Sequence, residues 1–265
     1  MKTFLTHLQQ DIRRYGVMVT AHDVWKCAAL LLMTCDHIGY YFDQEQMWWR
    51  VVGRWCVPIW FFLAGYATPS SPRRELFWLA ALMIVADIAM VSPVFPVNIL
   101  VTIMIARFAV AYMAVRDRDV FMVILFAFAC FVLMPLAMYL FEYGTQVFLF
   151  TLAGYYRASM RQHWLGGVTL ALACAAFVPV QIFSFGMPPV HATVMTVGLV
   201  GVCVLLHGFH SKQYPELSQL PVVSATLRIF GRTTQYYYAV HVILFVALQT
   251  LINPPAAWKI VWFNF

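Results

Sequence analysis

From about residue 24 to about residue 252 the chain alternates long apolar runs with short polar interruptions. Almost every run approaches the roughly 20 residues that a helix needs to cross the hydrocarbon core of a bilayer. The stretches are 24–42, 48–66, 75–92, 97–115, 119–141, 144–157, 164–184, 190–208 and 234–252. The sixth, GTQVFLFTLAGYY, is short and is expected to tilt or to thin the bilayer locally. This pattern predicts an all-α polytopic membrane protein, a bundle of about nine transmembrane helices within a range of eight to ten. Three parts follow: a cytoplasmic segment over 1–23, a transmembrane domain over 24–252 and an interfacial tail over 253–265. The tail's WKIVWFNF is too short to span, and its two tryptophans suit an interface. The first 23 residues lack the apolar core and cleavage site of a signal peptide and are expected to be retained. HSKQYPELSQLPVVSATLRIFGR, before the last run, is the largest polar interruption and is expected to carry a short surface helix.

Composition removes the soluble alternative. The 265 residues are 63% hydrophobic and only 11% charged, against about 25% charged in a soluble domain. The net charge of +6 does not point to nucleic acid, because the basic residues form no solvated tract. Their distribution gives a direction instead. Arg13, Arg14, Arg73, Arg74, Arg116, Arg118, Arg157, Arg161, Lys212, Arg228 and Arg232 all fall on the side of the N-terminus. The opposite loops hold little positive charge beyond Arg50 and Lys259. The positive-inside rule then predicts a cytoplasmic N-terminus. Cys27, Cys35, Cys56, Cys130, Cys174 and Cys203 lie inside apolar runs without C-x-x-C spacing, so they read as small reduced hydrophobes. No metal is predicted.

Ionisable groups inside spans are costly and mark candidate sites. Counted at 1.5 Å per residue from the expected helix ends, Asp36 and His37 lie roughly 8 Å below the outer end of the first span, and Arg54 about as deep in the second. Asp87, Asn98, Glu142 and His191 share that layer. A deeper set consists of Arg107 and of His241 with Tyr237 and Tyr238. Thr234, Tyr238 and His241 recur at helical spacing, so one face of the last span is polar and lines a passage towards the outer cluster. Plainer readings stand beside these. Asp36 and Arg54 also suit an ion pair locking two helices, His241 a satisfied hydrogen-bonding group, and Asp87 and His191 hydrated positions near the interface.

The stretch KCAALLLMTCDHIGYYF followed by GRWCVPIWFFLAGYAT resembles the TraX family, membrane proteins associated with N-acetylation of conjugative pilin. The resemblance rests on Lys26, Asp36-His37-Ile38-Gly39, Gly53-Arg54, Pro58 and Gly65. NILVTIMIARF, EYG at Glu142 to Gly144, and FGRTTQYYYAVHVILF extend it across most of the chain. Gly231-Arg232 with Tyr238 and His241 is also similar to the last helix of the wider acyltransferase 3 and heparan-alpha-glucosaminide N-acetyltransferase group. Ala106-Arg107 departs from the small apolar pair expected there, and the segment following residue 185 aligns with no motif.

The resemblance implies an acetyltransferase of the bacterial inner membrane, with cytoplasmic acetyl-CoA as co-substrate. The acceptor would be an amine or hydroxyl at the outer side: a pilin N-terminus, or an envelope glycan or lipid. His37 takes the place of the catalytic histidine, with Asp36 and Arg54 beside it. Lys26, Arg107, Asn98, Glu142, Arg232, Tyr238 and His241 are the candidates for binding substrate or acyl donor. Histidine suits proton exchange at neutral pH. Asp36 does not orient it, because adjacent side chains on a helix point about 100° apart. Coenzyme A is anionic, and Arg232, Arg228, Arg161, Arg157, Arg74 and Lys26 are the basic groups expected to meet its phosphates. A covalent acyl-histidine and direct attack both remain open. The rival readings are a transporter or proton-coupled channel and a non-catalytic envelope assembly factor.

Overall fold

The structure is a computed structural model that describes residues 18–68, 74–116, 120–159 and 163–262. Arg13, Arg14, Arg73, Arg118 and Arg161 lie outside the described residues. The chain runs through β1 (Val19–Thr20), α1 (Ala21–Tyr41), α2 (Met47–Gly53), α3 (Cys56–Tyr66), α4 (Arg74–Ala89), α5 (Ile99–Arg116) and α6 (Val120–Leu140). A 3₁₀ turn (Gly144–Val147) leads to α7 (Phe148–Ala158), α8 (His163–Phe185) and α9 (Pro189–His207). After these come β2 (Gln213–Tyr214), the single turn α10 (Pro215–Ser218), α11 (Pro221–Arg232) and α12 (Thr234–Ile252). Among the described residues the sheet is limited to β1 pairing antiparallel with β2. The fold is that of an all-α membrane protein.

Every apolar stretch read from the sequence holds helix, and the differences have local causes. The first helix begins at Ala21, because Thr20 and Asp23 form a capping box that starts it earlier. The second stretch is two helices broken at Arg54–Trp55. Pro58 has no N–H to offer the Arg54 carbonyl, which accepts instead from the Val57 amide at 3.2 Å. The short sixth stretch opens as 3₁₀ before α7 forms. The loop after α9 carries α10 and α11. The tail is tied back to the loop before α5, since Val94 and Phe95 amides donate to the carbonyls of Val261 and Trp262 at 2.9 and 2.7 Å.

Four of the described helices, Val120–Leu140, Trp164–Phe185, Pro189–His207 and Thr234–Ile252, are long and apolar enough to cross a membrane. The other stretches are shortened by breaks or interrupted by charge, as Asp23, Lys26 and Asp36 interrupt α1. On α6, Phe121, Phe128, Phe131 and Leu136 are exposed, a surface suited to lipid.

The core sits where α3 crosses α7. A side chain at Gly65 would collide with the Thr151 carbonyl, and one at Gly154 with that of Phe62, so glycine alone admits this approach. Phe61, Phe62, Phe150 and Phe177 are fully buried around it. α1 lies against α2, α3, α11 and α12, and is the helix around which the polar residues gather.

Candidate functional site

α1 and α12 run parallel. Thr34 meets the Tyr237 hydroxyl at 3.2 Å, His37 meets His241, and Tyr41 packs on Phe245 with ring centroids 6.0 Å apart. The two imidazoles are nearly coplanar in orientation, 19° apart, and His37 Nδ1 is 2.7 Å from His241 Nε2. His241 Nδ1 in turn lies 2.8 Å from the Tyr237 carbonyl. A carbonyl only accepts, so His241 Nδ1 carries a proton and, in the neutral ring, Nε2 is the acceptor. His37 Nδ1 therefore donates, which leaves His37 Nε2 with its lone pair unprotonated. Aromatic rings enclose the pair: Tyr237 stacks on His241 at 5.1 Å, Phe245 meets it edge-on at 5.5 Å, and Tyr238 lies 6.0 Å from His37.

The deeper placement expected for His241 is thereby corrected. It sits only about two turns into α12, but α12 starts farther along the bundle than α1 does. α11 occupies the level of α1's first turns, where Gly231 lies against Asp23 and Cys27 donates to the Leu227 carbonyl. His241 and His37 therefore belong to one site.

Asp36 points elsewhere. Arg50 Nη1 donates to Asp36 Oδ2 at 3.0 Å and to the Asp36 carbonyl at 3.2 Å, while Arg54 Nε stands 3.5 Å from Oδ1. Asp36 is 3% exposed and Arg54 6%, so this is a buried one-carboxylate, two-guanidinium cluster. Gly53 permits it, because a Cβ there would overlap Asp36 itself. The guanidiniums also lie over rings: both are 4.7 Å from Phe185, with Arg50 5.3 Å from Tyr40 and Arg54 5.2 Å from Tyr143. Glu142 supplies a second carboxyl within reach of Arg54 and accepts from the Ile99 amide at the start of α5. Burial pushes its carboxyl up to about 7 against the pull of Arg54.

Asp36, His37, Arg54, Glu142, Tyr238 and His241 are thus drawn together, and four candidates stand apart. Asn98 donates to the Ala80 carbonyl at 3.1 Å and ties α5 to α4. Arg107 donates to the Ala67 carbonyl at 3.0 Å, at the end of α3. Arg232 is placed 3.5 Å from Asp23 and donates to the Met18 carbonyl, closing the α1–α11 contact. Lys26 lies on α1 near His22. His191 packs on Trp48, with ring centroids 4.2 Å apart. Arg50, Tyr143 and Phe185 were not among the candidates. Arg50 had a signal, its i, i+4 spacing from Arg54, which a reading of it as a loop charge passed over.

A family model described as TraX protein matches residues 21–249. The chain belongs to the TraX family. The match spans α1 to α12 and so contains both histidines and the whole Asp36 cluster. An uncharacterized protein of Rickettsia prowazekii (strain Madrid E) is 28% identical over 90 residues, covering 34% of this chain and 36% of that protein. The aligned region is therefore about a third of that relative's length. No solved structure matches.

Proposed function

We propose that this protein is a membrane-embedded acyltransferase that moves an acetyl group from cytoplasmic acetyl-CoA to an acceptor amine or hydroxyl towards the outer face. The observation that carries the reading is the chain from the Tyr237 carbonyl through His241 to His37, which leaves one imidazole nitrogen free to take a proton. TraX-family membership supports the conjugative setting, in which a pilin N-terminus is the acceptor. An envelope glycan or lipid would use the same chemistry.

In the proposed step His37 Nε2 takes the proton of the acceptor N–H or O–H as the acceptor attacks the thioester carbonyl. The imidazolium formed is stabilised through its Nδ1–H, which donates to His241. Tyr238, whose ring centroid lies 6.0 Å from that of His37, and Arg54, whose charge acts on His37, are assigned to the oxyanion. Collapse breaks the C–S bond, and the coenzyme A thiolate leaves with the proton held by His37. Asp36 fixes Arg54 and Arg50 and touches no reacting atom.

Membranes containing the protein are supplied with acetyl-labelled acetyl-CoA, and the labelled product is identified. Wild type transfers label, and His37→Ala, at unchanged expression and solution behaviour, does not. Full transfer by that variant would sink the assignment. A transporter would show flux without a labelled acceptor, and an assembly factor neither.

A further inference from the structure

The hairpin of α8 and α9 brings two thiols together inside the bundle. All the cysteines are free, and Cys174 on α8 donates to Cys203 on α9 with the sulfurs 3.3 Å apart. The seam between the two helices sets this pairing. At one end a Cβ on Gly167 would stand 3.1 Å from the His207 ring, and at the other Val178 and Ile182 pack on Val51, Met187 and Met195. Cys174 and Cys203 fall between these levels, at the edge of the lipid-facing surface. Ala171 and Ala175, before and after Cys174, are exposed, and Val200 and Val204 hold the same positions around Cys203 and are exposed too. Cys174 is half-buried and Cys203 only 6% exposed, so a reagent dissolved in the bilayer meets Cys174 first.

We infer that Cys174 and Cys203 are a redox pair, oxidised by a lipid hydroperoxide to a disulfide that locks α8 to α9. The Cys174 sulfur attacks the terminal peroxide oxygen: an S–O bond forms, the O–O bond breaks, and the lipid alkoxide leaves, taking up the thiol proton to become an alcohol. Cys174 is then a sulfenic acid. The Cys203 sulfur attacks that sulfur, the S–S bond forms as the S–O bond breaks, and hydroxide leaves with the Cys203 proton as water. The two thiols lose two electrons and the peroxide gains them. A dithiol reductant reopens the bridge by exchange. The lock bears on the Asp36 cluster because both helices support it. Phe185, at the end of α8, covers the guanidiniums of Arg50 and Arg54. The Met195 carbonyl of α9 accepts from the Trp55 indole at 3.1 Å, in the break between α2 and α3, and Gly198 makes room for that ring. Drawing α8 and α9 together shifts these supports and, resting on the acyltransfer reading above, slows transfer.

The test uses the full chain in proteoliposomes, reduced and then treated with cumene hydroperoxide, which enters the bilayer, or with hydrogen peroxide. Free thiols are blocked and the peptides identified by mass spectrometry. Wild type yields a bridge between Cys174 and Cys203, formed faster with cumene hydroperoxide at equal concentration. Its Tm rises by a few degrees and acetyl transfer falls several-fold, both reversed by dithiothreitol. Cys174→Ala and Cys203→Ala transfer acetyl as wild type does before treatment and keep that rate after it. Absence of the bridge, or oxidation that stops at a sulfinic acid, overturns the redox pair, and a bridge formed only with hydrogen peroxide overturns the lipid-borne oxidant. A bridge that leaves Tm unchanged overturns the lock, as does an equal loss of transfer in wild type and both variants. A bridge that raises Tm in protein without any acetyl transfer leaves the redox pair standing and removes the acyltransfer reading.

Discussion

Replacing His241 tests the histidine chain most directly. In His241→Phe the ring volume stays close to that of the native side chain, but His37 Nδ1 loses the acceptor now 2.7 Å away. The contact is short and becomes charge-assisted once His37 holds a proton, so its loss is worth about 1.5–3 kcal/mol in the transition state. That corresponds to a fall in kcat of roughly 10- to 150-fold. KM for acetyl-CoA should change little, because the interaction strengthens only as charge develops. His241→Gln provides the control: its amide oxygen can stand near the position of Nε2, accept from His37 and never be protonated. The assay is label transfer from acetyl-CoA in proteoliposomes, with the monodisperse fraction checked for each variant. Phe and Gln variants of equal activity would refute the reasoning, as would a Phe variant whose whole defect lies in KM.

Three further outcomes follow from buried groups. Asp36→Asn leaves Arg50 and Arg54 without their carboxylate and should cost about 3–5 kcal/mol, read as a fall in Tm in detergent larger than that of Arg50→Met, which leaves Asp36 with Arg54. Gly65→Leu forces α3 away from the Thr151 carbonyl and should prevent recovery of folded protein, whereas the same change at Gly201, where nothing stands within 4 Å, should be nearly neutral in expression. Glu142 titrates near 7 when folded, above its ordinary 4.5, so on raising the pH from about 5 to 8 the unfolded chain gives up this proton first. Stability then falls across that window by a few degrees in Tm, and Glu142→Gln should flatten the slope in a thermal scan at stepped pH.

Local chemistry was the legible part of this protein. The apolar runs marked the helices, and the Lys and Arg distribution suggested a direction, because both depend on transfer from water to lipid and hardly on partners. What sequence reading missed depends on partners. Depth was counted from helix ends as though all helices began at one level, and α11 breaks that assumption by setting α12 farther along than α1. His241 was therefore assigned to a passage below His37 when it touches it. Arg50 was counted with the outer loop, although the break imposed by Pro58 makes a short helix that turns Arg50 and Arg54 to the same carboxylate. Arg232 was read from its charge as a group for the donor's phosphates, but its buried position beside Asp23 follows from a tertiary contact that no periodicity records.

The adjacent residues Asp36 and His37 show how those contacts divide the work of one helical turn. Their side chains leave α1 about 100° apart, one towards α2 and the other towards α12. Asp36 receives two arginines and His37 one histidine, and the two sets share no hydrogen bond. The carboxylate is thus a rotational stop for α1: with Arg50 holding both its side chain and its carbonyl, the helix cannot turn about its axis without breaking buried charge pairs. The 2.7 Å contact of His37 with His241 needs that rotation held to a fraction of an ångström. The Asp-His pair is accordingly a hinge pin beside a base, and changes at Asp36 or Gly53 should lower kcat in whatever protein still folds, with Asp36 never approaching the acceptor.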